Sequence, residues 1–371
     1  LMRADSPLVV VVRDTQATPT AFSMPEVQGL AFSTILPGGC AGCSFRVPGS
    51  VRVVPNWAGY GYEVWVQDAG RVVWSGRMQS IKPTRSGSGE HWGIEAVGWG
   101  ANVGDDGAYP AEDVVGMTLR NIVAAVITDL TQKTMSTSIT GTDYTLSAVT
   151  AIPMDMVYGK TMLAWVSRFG DYQWHVYPEA NSSGRLLFTW EDRPATVGLS
   201  LHLDDLDSFA GSLDGRALAN RVRVEYSGPA SPYTANDATL QGAGPAGWGF
   251  IRAVTVSMLE LTALADATRV GDQMLTRLKV ARLGATALSL KPGAVLIDGD
   301  GAEIDPWRVQ AGKICRIVDL IPATPAANTL AWNNSFRVQG TAWDDDAQTL
   351  TLTPETQSMT TDALLAHVAT L

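Results

Sequence analysis

The sequence predicts a mainly β fold with an α+β insert, in which two barrel-like β domains flank a helix-and-hairpin domain. Apolar and polar residues alternate over residues 8–100, helical periodicity follows, and alternation returns from residue 201. Alternation with a period of two is typical of half-buried strands, whereas apolar spacings of three and four are typical of helices. We expect four segments: a first β domain, the insert, a second β domain and a C-terminal tail, at residues 1–104, 105–200, 201–352 and 353–371.

Composition limits the class of protein. The chain has 371 residues, of which 46% are hydrophobic and 17% charged, so we expect two or three compact units with real cores. Its net charge is -10, from 27 basic and 37 acidic residues, which disfavours a general nucleic-acid binder because such a protein needs basic surface. No apolar run reaches the roughly 18 residues of a membrane span. The first residues lack a signal-peptide pattern, so we expect none.

The first β domain shows short strands separated by turns. The segments VVVVRD, FRVP and VRVV come first, and the turn Asp68-Ala69-Gly70 joins YEVWVQ to RVVWSG as a predicted hairpin. A further alternating set comprises Trp92, Ile94 and Ala96. Strands this short and evenly spaced favour a barrel or a sandwich.

The insert begins with the clearest helical pattern in the chain. Thr118 is the predicted cap of a helix, whose apolar positions are Leu119, Ile122, Val123, Val126, Ile127 and Leu130. A second helix is predicted from Thr161 to Phe169, with Gly170 just after its end. A hairpin follows, with alternating residues Tyr172, Trp174 and Val176 in one strand and Leu186, Phe188 and Trp190 in the other.

The second β domain opens with the strand pattern ANRVRVEYSG. A long helix is predicted over residues 257–283, because Ser257 and Glu260 have capping-box spacing and Gly284 follows the last apolar position. Further predicted strands are TALSLKPG, WRVQ, KICRIVDL, SFRVQG and QTLTLTPE. A short amphipathic segment in the tail carries Leu364, Leu365, Val368 and Leu371.

Three cysteines are too few for a disulfide framework. Cys40 and Cys43 form a CxxC that lies at a turn entering a strand, whereas a redox CxxC opens a helix. A zinc site needs about four ligands, and Cys315 lies far away in a strand pattern. We favour a structural role; a local disulfide or a metal site remains the alternative.

Two short motifs resemble binding loops but depart from them. The sequence Gly159-Lys160-Thr161 lacks the upstream glycine of a phosphate-binding loop, because Met154 stands there, so Thr161 is better explained as a helix cap. The segment at residues 298–305, DGDGAEID, has two acidic ligand positions of a calcium loop but not its later ligand and glycine positions. A hairpin turn is the better explanation.

No recognisable catalytic set is present. The acidic clusters, which we interpret as solvated turns, are Asp204, Asp205 and Asp207 and, later, Asp344, Asp345 and Asp346. The four histidines are His91, His175, His202 and His367; no HExxH or GxSxG occurs, and His175 is expected on a solvated strand face. The many tryptophans fit core or interface positions better than sugar stacking. We therefore predict no catalytic, cofactor-binding or metal-binding residues, no cofactor and no enzymatic activity.

The order of several segments resembles the tail hub proteins of long-tailed bacteriophages. The matching segments are YGKTMLAWVSRFGDYQWHVYPE, RLLFTWEDRP and LDGRALANRVRVEY, the last with Asn220, Arg221, Val222, Val224 and Tyr226 in the family's N-R-V-x-V-x-Y strand. The segment ILPGGCAGCSFRVP is similar to the family's first barrel, and the helical region followed by ATALSL and KPGAVL is similar to its later part. The resemblance covers about residues 30–320.

The resemblance implies a structural role at the tail tip of the virion. Three chains of a hub form a ring of six barrels, which adapts the six-fold tail tube to a three-fold tip and lines the channel for genome ejection. The implied partners are a distal tail or tail tube ring, the tape measure protein, a tail fibre or spike, and passing DNA without specific binding. The chain lacks the hydrolase motifs that some relatives carry in a C-terminal extension.

Two alternatives remain open. One is a distal tail ring protein, which should lack the helix-bearing insert. The other is a secreted β-rich protein that binds or hydrolyses carbohydrate. The net charges of residues 1–104, 105–200 and 201–371 are +1, -5 and -6. An acidic channel would repel DNA phosphates, which suits a conduit.

Overall fold

The chain is described here by a computed structural model. The residues described are 8–355 except 17, 25, 88, 106–115, 129–134, 148–158, 180–184, 210, 214–217, 244–246, 280–282, 286 and 321–333. They contain 22 strands and five α-helices, so the predicted mainly β fold is confirmed. None of the helices in this part of the chain is long and apolar enough to cross a membrane. The predicted amphipathic segment of the tail, with His367, lies outside the described residues.

The first seven strands form one antiparallel series. They are β1 (Leu8–Arg13), β2 (Ala21–Met24), β3 (Gln28–Ile35), β4 (Gly38–Pro48), β5 (Glu63–Asp68), β6 (Arg71–Ser86) and β7 (Gly89–Gly98). Their spatial order is β2, β1, β5, β6, β7, β4, β3. The predicted hairpin between β5 and β6 is confirmed. Ala69 and Gly70 both have positive φ, as a tight two-residue hairpin turn requires.

The insert combines short helices with a hairpin. Its elements are α1 (Asn102–Asp105), α2 (Leu119–Thr128), β8 (Met135–Ile139), α3 (Gly159–Val166), β9 (Tyr172–Pro178) and β10 (Leu186–Asp192). Strands β9 and β10 are antiparallel, as predicted, and β8 pairs with β10 in parallel. The cap of α2 is also confirmed, because the hydroxyl of Thr118 accepts a 3.2 Å hydrogen bond from the N–H of Asn121.

The prediction for the second helix of the insert is wrong at both ends. Helix α3 begins at Gly159, so Thr161 lies inside its first turn instead of capping it, and it ends at Val166. A Cβ at Gly159 would lie 2.6 Å from the carbonyl oxygen of Val103. The glycine therefore permits the close approach of α3 to α1, a tertiary requirement that helical periodicity does not reveal.

The remaining elements alternate short strands with two helices. They are β11 (Val197–Leu201), β12 (Gly211–Leu213), β13 (Arg221–Glu225), β14 (Tyr233–Asn236), α4 (Ala238–Gln241), β15 (Ala253–Ser257), α5 (Leu264–Leu278), β16 (Leu283–Ala285), β17 (Leu288–Ser289), β18 (Leu296–Asp298), β19 (Glu303–Ile304), β20 (Ile314–Ile317), β21 (Ser335–Asp344) and β22 (Thr349–Pro354). Strand β13 lies between β14 and β15 in a separate three-stranded sheet, on which α5 packs.

The long helix predicted over residues 257–283 is much shorter in the structure. Ser257 ends β15, and α5 runs only from Leu264 to Leu278. Glu260 is buried and accepts a hydrogen bond from the indole of Trp165, so it does not cap a helix. Gly284 lies in β16 instead of closing the helix.

The segment WRVQ, predicted as a strand, is also different in the structure. Residues Pro306–Arg308 form a 3-10 helix that begins with proline. Proline has no backbone N–H to donate and suits the first turn of a helix.

Strand β21 joins the last part of the chain to the first. It pairs antiparallel with β3, from Gly340 opposite Ile35 to Asp344 opposite Ala31. The buried hydroxyls of Thr34 and Thr341 lie 2.7 Å apart across this pair. Strand β21 also pairs with β22, which lies on the side away from β3, and with β20 over Ser335–Arg337. The second β region is therefore hydrogen-bonded directly to the first.

The buried side chains form two large clusters, and each draws on separate parts of the chain. The first core combines residues 8–96 with Tyr177, residues 199–206 and residues 288–352. The second core combines residues 99–190 with residues 222–275. The chain thus passes repeatedly between the two cores, and the boundaries of the four predicted segments stay a prediction.

The strand pairings form an open and branched network. Among the described residues, 17 strands are connected without any closed ring of pairs, and β2 and β17 end two of its branches. The barrel-like closure predicted for the two β regions is therefore not confirmed.

A buried ion pair fixes the turn between β5 and β6 to the 3-10 helix at Pro306–Arg308. Asp68 accepts hydrogen bonds from the indole of Trp307 at 2.8 Å and from the guanidinium of Arg308 at 2.7 Å. The side chain of Asp68 is only 5% exposed. Because these residues are more than 200 positions apart, this contact stabilises the joint core of the two β regions.

We predict that Asp68→Ala lowers the free energy of unfolding by about 3 kcal/mol, because it removes the buried carboxylate that Trp307 and Arg308 share and leaves Arg308 only the more exposed Asp305. Urea denaturation measures the loss. The matched control is Glu95→Ala, which removes an ion pair to Lys82 of similar length, 2.6 Å, on the exposed part of the β6–β7 hairpin. The control should leave the midpoint close to wild type. Equal losses in the two variants would contradict a special role for Asp68.

Candidate functional site

The residues that the sequence singled out are dispersed. No group of three histidine, cysteine, aspartate or glutamate side chains in the described part of the chain is placed to hold a metal ion. The structure instead assigns most of these residues to packing and to contacts between elements.

The three cysteines are buried and unpaired. Cys40 and Cys43 lie in β4 and Cys315 in β20, all within the first core. Burial raises the pKa of the Cys40 and Cys315 thiols to about 12 and raises that of Cys43 as well. Since the thiolate is the nucleophile and the metal ligand, these thiols are suited to packing. This agrees with the structural role favoured from the sequence.

We predict that none of the three thiols reacts with an alkylating reagent at pH 8 while the protein is folded, because burial keeps them protonated and inaccessible. Mass spectrometry after a timed reaction counts the labelled cysteines. All three should react when the same reagent is added in denaturant. Rapid labelling of Cys40 or Cys43 in the folded protein would show that the CxxC is accessible to chemistry.

His175 is not on a solvated face, contrary to the prediction. It lies in β9, opposite Gly38 of β4, and its ring contacts Tyr177 at a centroid distance of 4.7 Å. Its buried Nδ1 has no hydrogen-bond partner in the structure. Burial lowers the pKa of His175 to about 4. The alternation of β9 could not reveal this, because the strand is covered on both faces.

His175 gives the stability a defined pH dependence. An unfolded histidine has a pKa near 6.5, so between about pH 6.5 and pH 4 the unfolded state binds a proton that the folded state does not. The free energy of unfolding should therefore fall as pH falls through this window, with a slope of up to ~1.4 kcal/mol per pH unit from this group. His175→Gln should remove that part of the slope, as measured by urea denaturation at several pH values.

His202 provides the contrasting variant. Its exposed ring lies 2.8 Å from Asp319, which raises the pKa of His202. The stability that the His202–Asp319 pair contributes is present at low pH and is lost as pH rises through the raised pKa of His202. His202→Gln should therefore change the slope in the opposite sense to His175→Gln. A His175→Gln slope identical to that of wild type would contradict the buried neutral histidine.

The acidic segments mostly serve turns. Asp298 accepts hydrogen bonds at 2.9 Å from the N–H groups of Asp300 and Ala302, as a hairpin turn requires. Asp344 accepts one from the N–H of Ala347. Asp345 is buried beneath Trp343, an exception to the expectation of solvated carboxylates. These carboxylates point to structural turns instead of paired acid–base chemistry.

Asn220 organises the strand on which the family resemblance depends. It is fully buried, donates a 2.8 Å hydrogen bond to the carbonyl of Phe250 and accepts one of 2.8 Å from the N–H of Arg252. Val222, Val224 and Tyr226 then alternate into the second core. The pattern N-R-V-x-V-x-Y therefore has a packing explanation: its asparagine positions the segment entering β15, and its apolar residues fill the core.

A network of charges joins the insert to the second β region. Arg193 pairs with Asp171 and with Glu355, and Arg337 pairs with the same two carboxylates. Arg277 of α5 also reaches Asp171, at 3.3 Å. Three arginines thus share two carboxylates where the two cores meet. Such a shared arrangement fixes side chains that an isolated surface pair would leave mobile.

The three most exposed large apolar side chains belong to one loop. Val53, Val54 and Tyr60 project from the loop between β4 and β5, and each is at least 69% exposed. Other exposed apolar residues are Phe250, Ile251, Leu259, Leu264, Val295 and Val318.

The fold is shared with solved tail proteins. The prophage MuSo2 43 kDa tail protein from Shewanella oneidensis aligns with a TM-score of 0.60 at 12% identity, over 94% of this chain and 98% of that protein. The prophage tail protein gp18 from Listeria monocytogenes EGD-e aligns with a TM-score of 0.59 at 12% identity, over 98% and 100%.

A third similar structure comes from a secretion system. The E. coli c3393 protein is described as a component of the type VI secretion system with structural similarity to T4 bacteriophage tail proteins gp27 and gp5. It aligns with a TM-score of 0.51 at 11% identity, over 94% of this chain and 77% of that one. No family model and no curated protein sequence matches the chain. The chain therefore has the fold of these tail proteins at very low sequence identity.

Proposed function

We propose that this chain is a structural hub protein of a bacteriophage tail tip or baseplate. In this role three copies form a ring that adapts the six-fold tail tube to a three-fold tip and lines the channel for genome ejection. The observation that carries the proposal is the shared fold with prophage tail proteins over nearly the full length of both chains. The order of the hub-like segments along the sequence supports the same role.

The helix-bearing insert favours a hub over a distal tail ring protein. A distal tail protein should lack such an insert, whereas α2 and α3 lie between the two β regions and pack into the second core. The described likeness of the E. coli protein to the tail proteins gp27 and gp5 also supports a position at the tail end. The two β regions, on opposite sides of the insert in sequence, are the proposed barrel-like units of the ring.

The tryptophans argue against a carbohydrate-binding or glycan-hydrolysing protein. Eight of them are buried, which leaves their faces unavailable for sugar stacking: Trp65, Trp74, Trp92, Trp99, Trp165, Trp174, Trp190 and Trp343. The thiols and His175 are also committed to packing. We infer a structural role without enzymatic activity, in which distal tail or tube rings, the tape measure protein and a fibre or spike are the partners.

Counting the copies at the tail tip tests the proposal. Cryo-electron microscopy of virions that carry this protein should show three copies in one ring around the channel, next to a six-fold tube. Six copies in the ring would favour the distal tail protein. Absence of the protein from the virion, together with cleavage of a defined glycan by the purified chain, would favour the secreted enzyme.

A further inference from the structure

Strand β15 is a free edge of the three-stranded sheet. It pairs in parallel with β13, and no strand in the described part of the chain pairs with its other side. The side chains of Ala253, Thr255 and Ser257 are exposed, whereas Val256 is buried in the second core. The outer side of β15 is therefore open to solvent.

The backbone of β15 directs hydrogen-bonding groups outwards. The carbonyl of Arg252 accepts a hydrogen bond from the N–H of Arg221 in β13, and Met258 donates its N–H to the carbonyl of Glu225. Because the backbone groups of successive residues in a strand point to opposite sides, the even-numbered residues bond to β13. The three odd-numbered residues of β15 therefore direct their N–H and carbonyl groups away from the sheet. These groups form a row of donors and acceptors with which another strand can pair.

The sequence of β15 lacks the features that protect free edges. Charged side chains, prolines and bulges keep most exposed edge strands from pairing with other chains. Strand β14, at the opposite edge of the same sheet, lies between Pro232 and Asp237. Strand β15 has the sequence AVTVS, without a charge or a proline, and it pairs with β13 without a register shift. An unprotected edge of this kind is suited to pairing with a further strand.

The strand is complementary to a second copy of itself. In an antiparallel pair centred on Thr255, each Thr255 lies opposite its counterpart and Ala253 lies opposite Ser257. The outward-facing residues of the two copies then oppose one another as hydrogen-bonded pairs, which is what their free N–H and carbonyl groups require. Between them Val254 lies opposite Val256, a pair of β-branched side chains on the inner face of the sheet.

Exposed apolar side chains flank the strand at equal distances from its centre. Ile251 lies four residues before Thr255 and Leu259 four residues after it, and they are 52% and 59% exposed. Because the two strands run in opposite directions, Ile251 of one copy comes to the same end of the pair as Leu259 of the other. The pairing therefore covers apolar surface at both of its ends.

The charges beside the edge do not oppose this contact. Arg223 pairs with Glu225 at 3.4 Å, and the guanidinium of Arg221 donates to an asparagine of β14, away from the edge. Arg252, just before β15, lies opposite Met258 of the second copy in the same register. The two copies of Arg252 are therefore roughly 20 Å apart, since a strand rises about 3.3 Å per residue. Solvent ions screen most of the repulsion over that distance.

We propose that two free copies of the chain associate through β15, antiparallel and centred on Thr255, so that their two three-stranded sheets become one continuous sheet. Both copies use the same surface, as a two-fold contact requires. The dimer satisfies the outward backbone groups of both strands and protects an edge that otherwise pairs with other extended chains. This inference concerns the chain before assembly and goes beyond the proposed hub role, whose ring is three-fold.

Sedimentation equilibrium of the full chain tests the pairing. The wild type should pass from monomer to dimer between about 1 μM and about 1 mM. Thr255→Pro removes the N–H at the centre of the pair and should weaken the dimer by about tenfold or more. Proline is tolerated at an edge position whose N–H faces solvent, so this variant should fold.

The matched control is Thr234→Pro in β14. Thr234 and Thr255 lie opposite the same residue, Arg223, on the two edges of one sheet. The N–H of Thr234 also points to solvent, because the odd-numbered Asp237 is the residue that donates to Asn220 across the sheet. The control should dimerise like the wild type. Thermal melts check that both variants are folded.

Opposite charges at the centre test the register. Thr255→Asp and Thr255→Lys each place two like charges opposite one another, so each variant alone should dimerise at least about tenfold more weakly than the wild type. A mixture of the two variants should form a heterodimer and recover most of the association. This recovery is expected only when the residue at position 255 faces its own counterpart.

Three results would overturn the inference. They are a wild type that stays monomeric up to about 1 mM, a Thr255→Asp variant that dimerises as the wild type does, and a mixture that associates no better than either variant alone. The count of copies at the tail tip is a separate measurement, so the hub role can stand when this contact fails.

Discussion

The pairing of β21 with β3 is the constraint on which the rest of the structure depends. It joins residues 340–344 to residues 31–35 by backbone hydrogen bonds, and the buried Thr34–Thr341 contact lies within it. The Thr34 hydroxyl also accepts a hydrogen bond from the N–H of Ala311. Because these groups are buried, leaving them unpaired would cost more than a surface hydrogen bond returns. The first core therefore contains residues from both ends of the described chain.

The insert is connected to the first core at both of its ends and packs with part of the second β region. The chain leaves the first core after β7, builds α2, α3 and β8–β10, and later returns through β11. The second core takes in residues 222–275 as well, so helix α5 and the three-stranded sheet pack with the insert. The arginine–carboxylate network around Asp171 and Glu355 lies where the two cores meet. This network therefore fixes the insert against the second β region.

The sequence patterns correctly predicted those elements that neighbouring residues in the chain determine. The β5–β6 hairpin, the Thr118 cap and the β9–β10 pair follow from turn residues, capping and alternation, and all three are present. Predictions failed where distant residues decide. Glu260 has capping-box spacing, but it accepts a hydrogen bond from Trp165 in the core. His175 alternates as if exposed, but its Nδ1 is buried and its ring packs against Tyr177. The predicted strand VRVV is instead part of the loop between β4 and β5, and its pattern does not reveal that Val53 and Val54 are exposed.

The central structural claim is that residues from both ends of the described chain fold as one unit. Hydrogen exchange of the backbone amides in β3 and β21 tests it most directly, since exchange reports the free energy of local opening. The amides of Thr34 and Thr341 should exchange together and as slowly as the most protected amides of the first core. Fast exchange throughout β21, with β3 still protected, would contradict the claim and make residues 335–344 a separate addition.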